Sequence, residues 1–163
     1  MPEYDIEEWG RRPYLLEAAR LRRDLYRVLA SVFASEAFNL DLTDLAKDFE
    51  LAEIEHGLVS VAIATRILLD QTGATTEGSE CGVLIPDIAE DQTLQRLTLR
   101  EARNKIIHAQ SRSYDVDNPV TPSRLEPTLH LRGSLRGKEW RVRLDLVRFA
   151  NHVDALGRGL TSA

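Results

Sequence analysis

Cysteine is nearly absent from this chain: Cys81 is the only one among 163 residues. An intramolecular disulfide is therefore excluded, and a lone thiol is typical of a reducing compartment. A single cysteine with no histidine close to it in sequence also gives no zinc-binding pattern. We therefore expect a cytoplasmic protein with a buried, unreactive Cys81 and with no metal ion or other cofactor.

Long hydrophobic runs are absent as well. The longest weakly polar stretch, residues 58–69, is interrupted by Arg66 and falls short of the roughly 20 residues that span a bilayer. The first ten residues, MPEYDIEEWG, are acidic and do not match a basic-then-apolar secretory leader. The sequence thus predicts a protein that is neither inserted in a membrane nor secreted.

Two kinds of binding site lack their sequence patterns. No Gly-x-Gly-x-x-Gly or P-loop pattern occurs, so a glycine-rich cradle for nucleotide phosphates is not supported. Glu53 and His56 form one Glu-x-x-His step, but a di-iron helical bundle needs that step twice together with two further glutamates. We therefore expect neither a phosphate-binding loop nor a di-iron centre.

Positive charge is scarce overall and is concentrated towards the end of the chain. The net charge is −5, and it divides into −10 over residues 1–99 and +5 over residues 100–163. A protein that binds nucleic acid over its whole surface would be basic throughout. An anion-binding site is therefore expected only locally, in the last third of the chain. The alternative is that acidic and basic faces merely keep the protein soluble.

Apolar residues that recur at helical spacing predict three helices. The first covers residues 13–35, the second ends at Gly73, and the third covers residues 92–111. Between the last two helices, Val83, Leu84 and Ile85 are predicted as a short strand or a buried plug. Residues 113–127, with three prolines, are predicted as a second loop.

The last part of the chain alternates apolar and polar residues, which predicts a β-hairpin over residues 126–147 with Arg136-Gly137 as its turn. A short helix over residues 146–157 follows. The fold class predicted for this single domain of residues 1–163 is therefore mostly α. It consists of a bundle of three to four helices over residues 13–112, with the hairpin and the last helix appended.

The predicted third helix carries the residues with the clearest chemical potential. Arg103, Asn104 and His108 form an Arg-Asn-x-x-x-His pattern, which resembles the motif of HEPN domains. HEPN domains are small all-helical bundles of prokaryotic toxins, abortive-infection systems and CRISPR-associated effectors. The resemblance implies a metal-independent endoribonuclease that leaves 2′,3′-cyclic phosphate ends. It also implies a homodimer formed through the motif helix, and an antitoxin or another regulatory protein as a partner.

These residue types suit RNA cleavage without a metal ion. A histidine can serve as acid or base near neutral pH, and an arginine fork can hold a phosphate with paired hydrogen bonds. We therefore assign His108 as the acid or base, Arg103 as the phosphate clamp, and Asn104 as the residue that orients the imidazole or donates to the phosphate.

Positively charged residues outside this triad are candidates for RNA binding. Two, Arg100 and Lys105, lie on the motif helix, and three, Arg132, Arg141 and Arg143, share the polar face of the hairpin with His130. A further basic cluster on the first helix is interpreted as a solvated face paired with nearby carboxylates. Its arginines are Arg20, Arg23 and Arg27.

Two functions other than RNA cleavage are compatible with the sequence. The first is a non-catalytic HEPN-like helical module that binds RNA, a nucleotide or a protein partner. The second is an interaction protein that dimerises through Leu94 and Leu97, which lie on one side of the predicted motif helix. Cleavage of labelled RNA in the presence of a chelator separates the enzyme from both alternatives.

Overall fold

A computed structural model describes residues 6–34, 49–90, 93–116 and 125–161 of the chain. Within these ranges the regular elements are four α-helices, five strands and one short 3₁₀ helix, Ile88–Glu90. In chain order the helices and strands are α1 (Ile6–Ala34), α2 (Leu51–Thr72), β1 (Glu80–Ile85), β2 (Gln95–Thr98), α3 (Leu99–His108), β3 (Ser111–Val116), β4 (Leu125–Leu135), β5 (Lys138–Asp145) and α4 (Leu146–Thr161).

The five strands form one antiparallel sheet in the order β2-β1-β5-β4-β3. Alternate residues of the central strand β5, Trp140, Val142 and Leu144, are buried and belong to the hydrophobic core together with residues of all four helices. The residues between them point to the other face, where Arg143 is exposed. The sheet therefore has one face packed on the helices and one face open to solvent.

The predicted mostly α bundle is wrong, because the helices pack on this five-stranded sheet. Three of the strands, β1, β2 and β3, are only four to six residues long. Each is too short to give a clear alternating pattern of its own, and each is stabilised by neighbours distant in sequence. The first pairs with β5, which lies some 60 residues further along the chain.

The predicted motif helix over 92–111 is also too long at its start, since residues 95–98 form β2 and α3 begins at Leu99. A capping box fixes this boundary. Thr98 Oγ1 accepts a hydrogen bond from the Glu101 amide at 3.3 Å, and the Glu101 carboxylate accepts one from the Thr98 amide at 3.2 Å. The Thr-x-x-Glu signal was present in the sequence, but the helical spacing of Leu94 and Leu97 masked it.

Other boundaries are partly as predicted. Gly73 ends α2 in the left-handed conformation, and the hairpin turns at Arg136 and Gly137, which both have positive φ. In contrast, the predicted loop over 113–127 contains the larger part of β3 and the start of β4. The last helix also continues past Gly157 to Thr161. Gly157 packs against Arg22 there, since a Cβ at this position would lie 3.0 Å from Arg22 Cγ.

Candidate functional site

The predicted catalytic pair does not meet in an open groove. Arg103 is only 3% exposed and its Nη2 donates to Asp70 Oδ1 of α2 at 3.2 Å. His108 is exposed in the last turn of α3, while Asn104 between them is half-buried. The Arg103 guanidinium is therefore engaged in the helical layer and is not available to a phosphate in this arrangement.

The two candidates for RNA binding on α3 lie on the helical side of the sheet. The Lys105 ammonium sits over the Trp140 ring, 4.1 Å from its centroid, and burial lowers the pKa of Lys105. Trp140 faces the core, so this contact places Lys105 on the opposite side of the sheet from Arg141 and Arg143. Arg100 is exposed on the same helix. The five predicted RNA-binding residues are thus split between the two sides of the molecule.

The surface predicted for dimerisation through α3 does not exist as one face. Leu97 is fully buried in the core on β2, whereas Leu94 precedes the strand and is 68% exposed. Because these residues belong to a loop and a strand, helical spacing does not align them. Leu94 instead borders the open face of the sheet.

The open face of the sheet brings together the hairpin residues that the sequence pattern placed on one side. His130 pairs with Arg143 across β4 and β5, and Arg132 pairs with Arg141 in the same ladder. Directly opposed residues have Cβ atoms about 4.5–5.5 Å apart. Two adjacent cross-strand pairs therefore form a compact block of four basic side chains, which we call the arginine block: His130, Arg132, Arg141 and Arg143.

Within the arginine block, two like charges, Arg132 and Arg141, lie directly opposite each other. Like charges directly opposite each other in a sheet destabilise it by a few tenths of a kcal/mol up to about 1 kcal/mol. Arg132 and Arg143 are exposed and form no ion pair with any residue in the described ranges, whereas His130 pairs with Asp115. The exposed guanidinium groups of Arg132 and Arg143 are therefore open to contact with an anion, which a surface of one charge sign attracts.

Two carboxylates at the margin of this face, Asp115 and Asp145, each have a partner other than Arg132 or Arg143. Asp115 Oδ1 lies 2.9 Å from His130 Nε2. Near the other end of β5, Asp145 pairs with Arg148 at 3.4 Å. The positive potential of the open face is therefore concentrated on the arginines of β4 and β5, with negative groups at its margin.

An apolar edge adjoins the arginine block. Val83 of β1 pairs with Arg143, and Ile85 pairs with Arg141. With the exposed Leu94 they form one side of a shallow groove of about 510 Å³, which we call the sheet groove. The described residues that line it are Val83, Ile85, Leu94, Ser113, His130, Arg132, Arg141 and Arg143.

Gly82 allows β1 to lie against the arginine block. Its φ is +157°, it interrupts the β1–β2 register, and a Cβ at this position would lie 2.1 Å from the carbonyl oxygen of Arg143. Any side chain would therefore push β1 away from β5. Glycine at this position keeps the apolar edge one strand spacing, about 4.8 Å, from the arginines.

Sequence reasoning identified the basic half of the sheet groove and missed its apolar half. The hairpin alternation alone placed His130 and the three arginines on one face. Val83 and Ile85 alternate with the buried Leu84 at a period of two, which was the available signal. Alternation over three residues does not distinguish a strand from a buried apolar segment, so the position of Val83 and Ile85 on the open face could not be predicted.

The other features predicted from the sequence do not build a second site. Arg20 and Arg27 border a groove of about 260 Å³ between α1 and α2, and both pair with Asp24 at 3.7 and 3.6 Å, as a solvated face would. Cys81 is fully buried, as expected, and burial raises the pKa of its thiol to about 12.

In the described part of the chain, no helix has the length and apolar character needed to cross a bilayer. The same residues contain no cluster of three or more side chains suited to hold a metal ion. Neither protein-family models, nor curated proteins, nor solved structures give a match to this chain.

Proposed function

We propose that this protein is a non-catalytic module that binds RNA through the open face of its sheet. The observation that carries the proposal is the register of β4 and β5, which sets His130 opposite Arg143 and Arg132 opposite Arg141. Guanidinium groups bind phosphate oxygens through charge-assisted, often bidentate hydrogen bonds. Three neighbouring arginines can neutralise successive phosphates of a backbone.

The charge distribution supports local binding. A chain with a net charge of −5 repels polyanions at long range, so contact must come from a concentrated positive surface. Residues 100–163 carry the compensating +5, and three of their arginines lie in the sheet groove. We further propose that the protein acts in the cytoplasm, where RNA is present and where the thiol of Cys81 stays reduced.

Cleavage of RNA stays a prediction of the motif resemblance, and the geometry gives it no support. Arg103 is paired with Asp70 in the helical layer, and the arginine block lies on the opposite face of the sheet from α3. A phosphodiester held by Arg132 and Arg143 would therefore be separated from His108 by the sheet.

The proposal is tested by measuring the affinity of the full chain for fluorescein-labelled RNA as a function of salt. Neutralisation of three phosphates predicts a slope of log K against log salt of about −2 to −3. Arg143→Gln should weaken binding about threefold to tenfold and make the slope less steep by about 0.7 to 0.9.

Arg100→Gln provides the matched control, because it removes the same charge from an exposed site on the helical side. Binding that depends on Arg100 and not on Arg143 would overturn the proposal and move the RNA to α3. The same samples, incubated with a chelator, should show intact RNA. Products with 2′,3′-cyclic phosphate ends, lost in His108→Ala, would instead establish the ribonuclease.

A further inference from the structure

The sheet groove combines two chemically different halves at a fixed spacing. Val83 lies opposite Arg143 and Ile85 opposite Arg141, so each apolar side chain is one strand away from a guanidinium. Val83 is 40% exposed and Leu94 is 68% exposed. A ligand that only carried charge would leave this apolar surface in water, and a purely apolar ligand would leave the exposed Arg132 and Arg143 without a counter-charge.

We infer that the sheet groove binds unpaired nucleotides, with the base on the apolar edge and the phosphate on the arginine block. This inference rests on the proposed function and names the form of RNA that is bound. A nucleotide joins an anionic group to a flat, weakly polar ring, and the sheet groove offers both kinds of surface side by side. Its volume of about 510 Å³ falls in the range of small-ligand sites.

Duplex RNA does not match the two halves together. In a duplex the bases are stacked and paired inside the helix, and the outer surface shows phosphates and sugars. A duplex could contact the arginines but would leave Val83 and Leu94 uncovered. Unpaired RNA can turn a base out of the strand and bury that apolar surface, so the groove selects single strands.

The chemistry of the apolar edge also sets the expected sequence preference. Its side chains are aliphatic, and no aromatic residue is among the described residues that line the groove. Aliphatic contact with a base face is weaker than aromatic stacking and does not distinguish one base from another. The groove therefore accepts any unpaired base, with a preference for flexible, poorly stacked strands.

The experiment compares three fluorescently labelled or competing probes on the full chain: a 12-nucleotide oligouridine, an RNA duplex of equal length, and inorganic polyphosphate. Oligouridine should bind about tenfold more tightly than the duplex. Leu94→Ser should weaken the binding of oligouridine about fivefold and leave polyphosphate unaffected. Arg143→Gln should weaken both ligands.

Leu135→Ser is the matched control, because Leu135 is 62% exposed at the hairpin turn and outside the groove. Circular dichroism and the urea midpoint confirm that each variant is folded. Equal affinity for oligouridine and duplex, or equal effects of Leu94→Ser and Leu135→Ser, would overturn the inference while leaving RNA binding intact. Loss of the Arg143→Gln effect on every probe would instead overturn the proposed function.

Discussion

The Arg103 guanidinium donates to Asp70 from Nη2, while its Nε and Nη1 atoms are buried without a hydrogen-bond partner in the described part of the chain. Asp70 is half-exposed, so the pair joins a buried cation to a partly solvated anion. A buried charge with unsatisfied donors lowers the free energy of unfolding, so the burial of Arg103 destabilises the folded protein.

Replacing Arg103 by methionine should therefore be neutral or stabilising. The substitution keeps much of the side-chain volume and removes two unsatisfied donors, so we expect the free energy of unfolding to stay equal or to rise by about 1–2 kcal/mol. Asp70→Asn leaves the cation in place without its counter-charge and should lower the free energy of unfolding by about 1 kcal/mol. The effect is this small because solvent screens the half-exposed Asp70.

Urea denaturation measures both effects, and the affinity for RNA measured on the same variants should be unchanged. A large loss of RNA cleavage or binding in Arg103→Met, with the fold intact, would show that this arginine acts on the ligand and would restore the motif-based assignment.

Gly133→Ala should destabilise the protein by about 1–3 kcal/mol. A Cβ on Gly133 would lie 2.4 Å from Cζ2 of Trp140 and 3.1 Å from the carbonyl oxygen of His108. The tryptophan is packed in the core under the Lys105 ammonium, so the ring can move only by disturbing both the sheet and α3.

The urea midpoint of Gly133→Ala measures this cost, and Ser134→Ala, its exposed neighbour, should change stability by less than about 0.5 kcal/mol. Equal stability of Gly133→Ala and the unmutated protein would mean that β4 does not approach Trp140 this closely.

Stability should fall in alkaline solution. Burial raises the pKa of Cys81 from 9.0 to about 12 and also raises the pKa of Tyr114 well above 10.0. A group whose pKa is raised by folding makes its full contribution to stability when the pH is below its pKa in the unfolded chain. This contribution is lost as the pH rises from that value to the pKa in the folded protein. The decline therefore begins near pH 9. Above its unfolded pKa, each such group lowers the free energy of unfolding by about 1.4 kcal/mol per pH unit.

Urea denaturation at pH 8.0 and pH 10.5 measures the decline. In Cys81→Ala, the loss of the free energy of unfolding between these two pH values should be smaller by about 2 kcal/mol. The cavity that the substitution leaves also lowers stability at pH 8.0. Tyr114→Phe should raise stability at both values, because the Tyr114 hydroxyl is buried without a partner in the described residues. An unchanged decline in Cys81→Ala would show that the thiol is not the group responsible.

Much of the local structure was predictable from short-range patterns. The alternation of Leu129 to Leu131 and of Trp140 to Leu144 predicted the hairpin and the shared face of its arginines, and both are confirmed by the register of β4 and β5. The left-handed Gly73 at the end of α2 was predictable for the same reason, because these signals act over a few residues.

The layer architecture was not predictable in this way. The pairing of β1 with β5 joins residues that are far apart in the chain. The need for glycine at position 82 arises only from the close approach of β5, whose backbone leaves no room for a Cβ. Leu97 has the spacing of a helical partner face, yet it is buried in the sheet because long-range packing overrides local periodicity.

By itself, the sequence determined the charge asymmetry of the chain, the hairpin, and the basic face carried by Arg132, Arg141 and Arg143, since charge and alternation are properties of neighbouring residues. Only the tertiary structure decided that Arg103 would be buried against Asp70 and that Val83 would lie beside Arg143. Both contacts are made across elements whose meeting depends on the free energy of the whole core, and no short stretch of sequence encodes that quantity.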